Sequence, residues 1–264
     1  MSSRPLPAPA VPASAYTDYY FRQVCAGATE WSEKADPIHG IYAYALTSLM
    51  DLPPGSLLVD VGCGRGELIA LAAQHGVRAV GVDYASAAVA LAQQTIDTRG
   101  LDGLAQVHQG DARSLPVGDA EADAVSMLDV VEHLLPAELA LALAEAHRIL
   151  KPGGQLVVHT FPNRLIYELT YRWLRCLVPR GAQRWPEDPR TSWEREMHVN
   201  EQTLRGISRA VDAAGFRDRR TWYGEWIYTD FLPSRIAALT YQALARIPGA
   251  KGAGRANILL TARR

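Results

Sequence analysis

The sequence predicts an α/β protein: a Rossmann-like, doubly wound sheet of parallel strands with helices on both faces. Three observations predict it. From residue 56 onward, short apolar runs alternate with helical patterns of ten or more residues. Glycines or a Pro-Gly pair close these helices. A glycine-rich turn, "DVGCGRGE" at 60–67, follows the first apolar run.

The elements follow in order. "SLLVDV" (56–61) reads as the first strand and "ELIALAAQHG" (67–76) as a helix closed by Gly76. "RAVGVD" (78–83) is the second strand, and "SAAVALAQQTIDTRG" (86–100) the next helix. "AQVHQGD" (105–111) and "ADAVSML" (122–128) are strands three and four. A long helix at 137–154 stops at Lys151-Pro152-Gly153-Gly154, and "QLVVHT" (155–160) is strand five. The rhythm then breaks at an aromatic, Arg-rich insertion, 161–198, placed where ligands bind in such folds. A helix at 201–215, strand-like "FRDRRTWYG", an apolar helix at 231–247 and a last strand "ANILLTARR" complete the chain.

These readings give a single domain, residues 1–264. It comprises a disordered Pro/Ala/Ser-rich lead-in (1–15), an N-terminal helical cap (16–50), a cofactor-binding core (51–160), a substrate lid (161–198) and C-terminal helices and strands (199–264). In the cap, Tyr19, Tyr20 and Trp31 are the aromatics expected near the cleft.

Composition narrows the class. Apolar residues make up 48% and charged residues 21%, with net charge −1; the pI is about 6.7. There is no basic stripe of the kind nucleic-acid binding leaves, so no nucleic-acid partner is expected. Three scattered cysteines, Cys25, Cys63 and Cys176, form neither a disulfide framework nor a zinc spacing. A reducing, cytoplasmic protein without a membrane span is expected.

The turn itself discriminates between ligands. Dinucleotide folds use G-x-G-x-x-G and seat a pyrophosphate on the helix N-terminus. Here Gly62, Gly64 and Gly66 are spaced G-x-G-x-G, and Glu67 stands in the first helical turn. A carboxylate there satisfies the helix dipole and repels phosphate. It suits a ligand bearing ammonium and sulfonium charge. Asp83, ending strand two, is placed to accept hydrogen bonds from ribose hydroxyls. Asp111, after strand three, is placed to accept from an adenine amine, with the Ala112 N–H donating.

The motifs "VDVGCGRGE", "GVDYA", "QGDA", "MLDVVEHL" and "RILKPGGQL" together resemble the class I S-adenosylmethionine-dependent methyltransferases. The resemblance is close over about 56–160 and looser through "HVNEQTLRGISRAVDAAGF". It implies a seven-stranded sheet with the last strand antiparallel, and S-adenosyl-L-methionine as cofactor, with S-adenosyl-L-homocysteine as product. It implies that Asp60, Gly62 and Gly64 contact the methionyl part, Asp83 the ribose, and Asp111 with Ala112 the adenine. Tyr84 would stack near the adenine and Leu128 would offer backbone. Cys63 enters the contact set as part of the turn, a small filler with no base beside it.

Methyl transfer from a sulfonium asks the enzyme to position an acceptor and, for a hydroxyl, to take its proton. His133, just beyond strand four, is the expected base, titrating near the ordinary imidazole value of about 6.5, and is also placed to contact the cofactor. His198, closing the insertion, could reach the acceptor across the cleft. His159, ending strand five, is expected to be a satisfied structural histidine. "DVVEH" also resembles the E-x-x-E-H pattern of ubiquinone-biosynthesis O-methyltransferases and small-RNA 2′-O-methyltransferases, whose side chains can bind a divalent metal. Asp in place of the first Glu shortens the reach of Asp129, and a metal-independent enzyme is expected.

The expected reaction is methylation, on oxygen, of a small, partly apolar molecule: a natural product, a quinone-like lipid precursor or a sugar. The alternatives are a non-catalytic S-adenosylmethionine-binding module, an RNA 2′-O-methyltransferase, or an NAD-dependent oxidoreductase, which the glycine spacing disfavours. Oligomeric state is open.

Overall fold

A computed structural model describes residues 6–25, 27–28, 40–49, 51–177, 185–224, 229, 232, 235–247 and 251–264. Trp31 lies outside them. Seven strands form one sheet: β1 (Leu57–Val61), β2 (Arg78–Asp83), β3 (Ala105–Gln109), β4 (Ala122–Leu128), β5 (Leu150–Thr160), β6 (Arg217–Tyr223) and β7 (Ile258–Arg263). Their spatial order is β3-β2-β1-β4-β5-β7-β6. Strands β1 to β5 pair in parallel, while β7 runs antiparallel to both β5 and β6.

The central strands read as unbroken apolar runs because both faces are covered. Leu57, Val59 and Val61 pack into one core with Leu139, Leu143 and Ile149 of α4 (Pro136–Ile149). Leu58 points the other way, into a core with Leu68 and Ile69 of α2 (Glu67–Gln74), Ile96 of α3 (Ser86–Arg99) and Ala45 of α1 (Gly40–Leu49). Because β1 has β2 on one side and β4 on the other, the loops leaving β1 and β4 diverge. They open a crevice at the carboxyl edge, the position where ligands bind in such sheets.

Two expectations need correction. Strand β5 begins at Leu150 rather than at 155, taking in the Lys151-Pro152-Gly153-Gly154 stop: α4 ends at Ile149 and Leu150 already pairs with Ala122. Pro152 cannot continue a helix. The β7 end also staples this stretch, since the Gly153 N–H donates to Arg264 O at 3.1 Å and the Arg264 N–H to Gly154 O at 3.0 Å. The second correction concerns the lead-in, expected to be disordered: its Pro9 and Val11 line the crevice. Val11 is 3% exposed and joins Tyr16, Phe21, Ala88, Leu91 and Met197 in a cluster. The Ala10 N–H donates to Glu138 and the Tyr84 hydroxyl to Val11 O. Composition signals disorder, but it cannot register a groove supplied by distant residues.

The insertion divides. Ile166, Tyr167 and Tyr171 of a π-helical turn (Ile166–Tyr171) and Leu174 of α5 (Arg172–Leu177) join Ala237 and Tyr241 of α8 (Arg235–Ala245) in a satellite core. Helix α6 (Ser192–Met197) instead reaches the crevice. Its N-terminus is fixed by a capping box between Thr191 and Glu194. Helix α7 (Leu204–Ala213), capped by Thr203, covers the sheet beside α4.

Candidate active site

The crevice is a cleft of about 520 Å³, within the roughly 300–1,000 Å³ span of small-molecule sites. Gly62, Gly64, Arg65, Glu67, Asp83, Tyr84, Asp111 and Ala112 line one half. Leu128, Asp129, Glu132, His133, Trp193 and His198 line the other, and Tyr16, Tyr20 and Phe21 close it from the N-terminal side.

The three glycines of the turn have different duties. All take positive φ (+74°, +52° and +81°), which L side chains rarely adopt. A Cβ on Gly62 would also strike Val130, and one on Gly66 would crowd Ala92 on α3. A Cβ on Gly64 would meet only Phe21, at an ordinary 3.7 Å. Gly62 and Gly66 therefore serve close packing, and Gly64 leaves the cleft floor clear.

The acids are arranged at several depths. The Asp83 carboxylate accepts from the N–H groups of Gly64 (3.1 Å) and Ala85 (2.9 Å), locking the turn to β2. Burial pushes its carboxyl up to about 6, against the pull of those N–H donors. Glu67 is buried and paired with Arg65, whose guanidinium also donates to Phe21 O. Glu67 Oε2 has no hydrogen-bond partner. A buried carboxylate oxygen left without a donor beside this turn fits a ligand ammonium. With the clear floor at Gly64 and the Asp83 carboxylate lining the cleft, the residues fit S-adenosylmethionine.

Two residues expected to contact the cofactor are absent from the cleft lining. Asp60 lies behind the turn, accepting from Ser126 Oγ at 2.7 Å. Its carboxyl is pushed up to about 7 by burial and by the Glu67 and Asp83 charges, with the Ser126 bond opposing. Cys63 turns its Sγ toward Gly81 of β2 and packs there. Asp111 does line the cleft, but Arg113 grips its carboxylate (Nη2–Oδ2 2.7 Å) and reaches Glu138 as well.

The turn after β4 brings the imidazoles together. The Nδ1 of His133 lies 3.0 Å from Met197 O, a carbonyl that can only accept, so Nδ1 carries the proton and Nε2 the lone pair. The Asn200 N–H donates to Glu132 O at 2.9 Å, so the chain closing the insertion is tied to this turn twice. His198 stands edge-on to His133, with centroids 4.9 Å apart. Burial, reinforced by His198, pushes His133 down to about 3, and burial pushes His198 down to about 4. Both are neutral at physiological pH, and His133 does not titrate near 6.5 as the sequence led us to expect.

Asp129, with φ +54°, holds His159 Nδ1 at 2.7 Å, and His159 Nε2 meets Asn257 Oδ1 at 2.8 Å. Burial opposes charge on both. The pairing prevails, keeping His159 above its ordinary value and Asp129 below its own. His159 is thus the satisfied structural histidine expected. Glu132 accepts from Thr160 Oγ1, and burial beside Asp129 pushes its carboxyl well up. Glu132, His133 and His198 each offer one ligand atom within 4.8 Å of the others, a donor set suited to a divalent transition metal.

Sequence reasoning missed Arg65, Tyr16, Trp193 and Asn257 as parts of the site. Tyr16 faces Tyr84 and His133, and Tyr20 stacks on Trp193 at 5.1 Å. Tyr19, by contrast, is exposed. Arg65 stood inside the quoted turn but its side chain carried no spacing signal, while Tyr16, Trp193 and Asn257 reach the cleft from different parts of the chain.

Residues 59–158 match the family model described as a methyltransferase domain. The chain is 32% identical over 184 residues to a ubiquinone biosynthesis O-methyltransferase of Azorhizobium caulinodans, covering 60% of this chain and 69% of that protein. It is 34% identical over 114 residues to a probable tRNA methyltransferase 9B of Mus musculus, covering 43% of this chain but only 23% of that one. Among solved structures, Haemonchus contortus phosphoethanolamine N-methyltransferase 2, in complex with phosphomonomethylethanolamine and S-adenosylhomocysteine, shares the fold. The TM-score is 0.65 at 16% identity, covering 95% of this chain and 58% of that one.

Proposed function

The chain belongs to the class I S-adenosylmethionine-dependent methyltransferases, and from that premise we propose that it methylates an oxygen of a small, partly apolar acceptor. The observation that carries this reading is the division of the cleft. An acidic half around Gly64, Glu67 and Asp83 suits the cofactor. An aromatic and imidazole half of Tyr16, Tyr20, Trp193, His133 and His198 suits a flat acceptor.

S-adenosylmethionine supplies a methyl on a sulfonium whose departure leaves a neutral thioether. The chain's own residues do the rest. Glu67 and Asp83 hold ammonium and ribose, Asp111 and Ala112 face the adenine, and the aromatic wall excludes water and orients the acceptor. His133, neutral with Nε2 unprotonated, accepts a hydrogen bond and then the proton from the acceptor hydroxyl. His198, pressed against it, keeps the site uncharged until that transfer.

The likeness to a ubiquinone-biosynthesis enzyme supports a phenolic, quinone-like acceptor. Neutral net charge and a cleft walled by aromatics favour a small molecule over tRNA. With Cys25, Cys63 and Cys176 unpaired, a reducing, cytoplasmic setting fits. A second reading rests on the convergence of Glu132, His133 and His198. In it, these side chains hold a divalent metal that would act as a Lewis acid on the acceptor oxygen.

Turnover assays with catechol-type acceptors, with and without chelator, test both readings. Methylation that survives chelation supports the base reading. Methylation lost to chelator and restored by zinc or magnesium supports the metal. If amines are methylated and phenols are not, the oxygen assignment falls.

A further inference from the structure

Helix α8 has an outer face that the cleft chemistry does not use. Its inner side is spent on the satellite core, where Ala237 and Tyr241 pack with Ile166, Tyr167, Tyr171 and Leu174. Its outer side is apolar too: Ile236 is 67% exposed, and Leu239, Leu244 and Ile247 are exposed with it. Thr240 and Gln242 are its only polar residues between Ile236 and Ala245, and an exposed apolar face of this kind marks an interaction surface. On the elements sharing that core, Leu169 and Trp173 are exposed as well, Trp173 at 61%.

Charge identifies the partner. The described stretch 235–247 contains Arg235 and Arg246 and no Asp or Glu, in a chain whose net charge is −1. Arg172 and Arg175 flank Trp173 on α5. Exposed Ile and Leu flanked by Arg is the composition of a helix lying in a membrane interface. Two copies of this face would oppose basic residue to basic residue, whereas an anionic lipid surface neutralises them. No described helix is long and apolar enough to cross a membrane, so contact would be peripheral.

We propose that the outer face of α8, with the adjoining α5 segment, docks on an anionic membrane surface. Ile236, Leu239 and Ile247 enter the boundary between headgroups and acyl chains, and the flanking arginines meet lipid phosphates. The inference stands on this surface alone and is independent of which acceptor the cleft takes.

The test is co-sedimentation of the full chain with vesicles of phosphatidylcholine alone, or with about a third phosphatidylglycerol. The expected result is sedimentation with the anionic vesicles that weakens as salt rises. The doubly substituted Ile236→Glu, Leu239→Glu protein should partition at least about tenfold less. Both positions are exposed, so its circular dichroism and S-adenosylhomocysteine affinity should match the wild type. Wild-type protein left in the supernatant with anionic vesicles would overturn the proposal, as would a double variant that sediments equally. Sedimentation velocity showing a dimer that the double variant dissociates, without vesicle binding, would assign the face to a second copy and also overturn it.

Discussion

His133 and His198 face each other edge to face at 4.9 Å, the first on the turn after β4 and the second closing α6. Met197 O fixes the proton of His133 on Nδ1, and burial keeps both rings neutral. Both line the aromatic and imidazole half of the cleft, where the role proposed for His133 is to take the acceptor's proton.

Replacing His133 tests that role. His133→Ala should lower kcat by about 10²–10⁴-fold, the usual worth of a positioned base. Cofactor affinity should change by less than about 1 kcal/mol, since the ring lies on the acceptor side. If activity falls only in step with affinity measured by titration calorimetry, His133 binds rather than reacts.

The pH profile makes a separate demand. With His133 down at about 3 and His198 at about 4, neither can generate a limb near 6.5 in kcat/KM. Any limb the wild type shows between pH 5.5 and 8 should therefore persist in His133→Ala. A neutral limb that vanishes with this substitution would show an imidazole far less buried than the geometry indicates.

The ribose role proposed for Asp83 is tested by cofactor affinity. Asp83→Ala should weaken S-adenosylmethionine by about 1.5–3 kcal/mol, the range for hydrogen bonds to a charged group. Calorimetric affinity unchanged in the variant would remove the ribose assignment.

The same carboxylate gives a pH dependence whose sign can be worked out. Its carboxyl is raised to about 6. As pH falls through 6 it protonates and loses acceptor capacity toward ribose hydroxyls, so affinity should drop between pH 7 and 5. The slope should flatten in Asp83→Asn. An affinity constant over that window would contradict the shift.

Gly62 and Gly64 should separate folding from binding. Gly62→Ala places a methyl against Val130 at positive φ and should lower the melting temperature markedly. Gly64→Val carries backbone strain too, but its Cβ meets only Phe21 at an ordinary distance, so it should damage cofactor binding more than the fold. Circular dichroism beside titration checks the contrast. Equal melting temperatures in the two variants would mean that the turn is held by backbone conformation alone.

Much of this was legible in the chain. Strand and helix periods are local, so the alternation at 56–160 specified a doubly wound sheet before any contact was known. The turn "DVGCGRGE" and the acids at the ends of β2 and β3 marked the cofactor half, since parallel strands deliver their carboxyl ends to one edge. What the sequence could not decide was direction and partnership. Asp60 and Cys63 sit in the right motif, yet Ser126 and Gly81 draw their side chains behind the turn. Val11 belongs to a stretch whose composition reads as disordered, and only a groove built by α3 and α6 gives it burial. His133 and His198 carry no spacing that relates them; backbone bonds from Met197 and Asn200 to the turn after β4 bring them together. Local pattern determines which elements form, but burial by residues far apart in the chain sets where each side chain points and how it titrates.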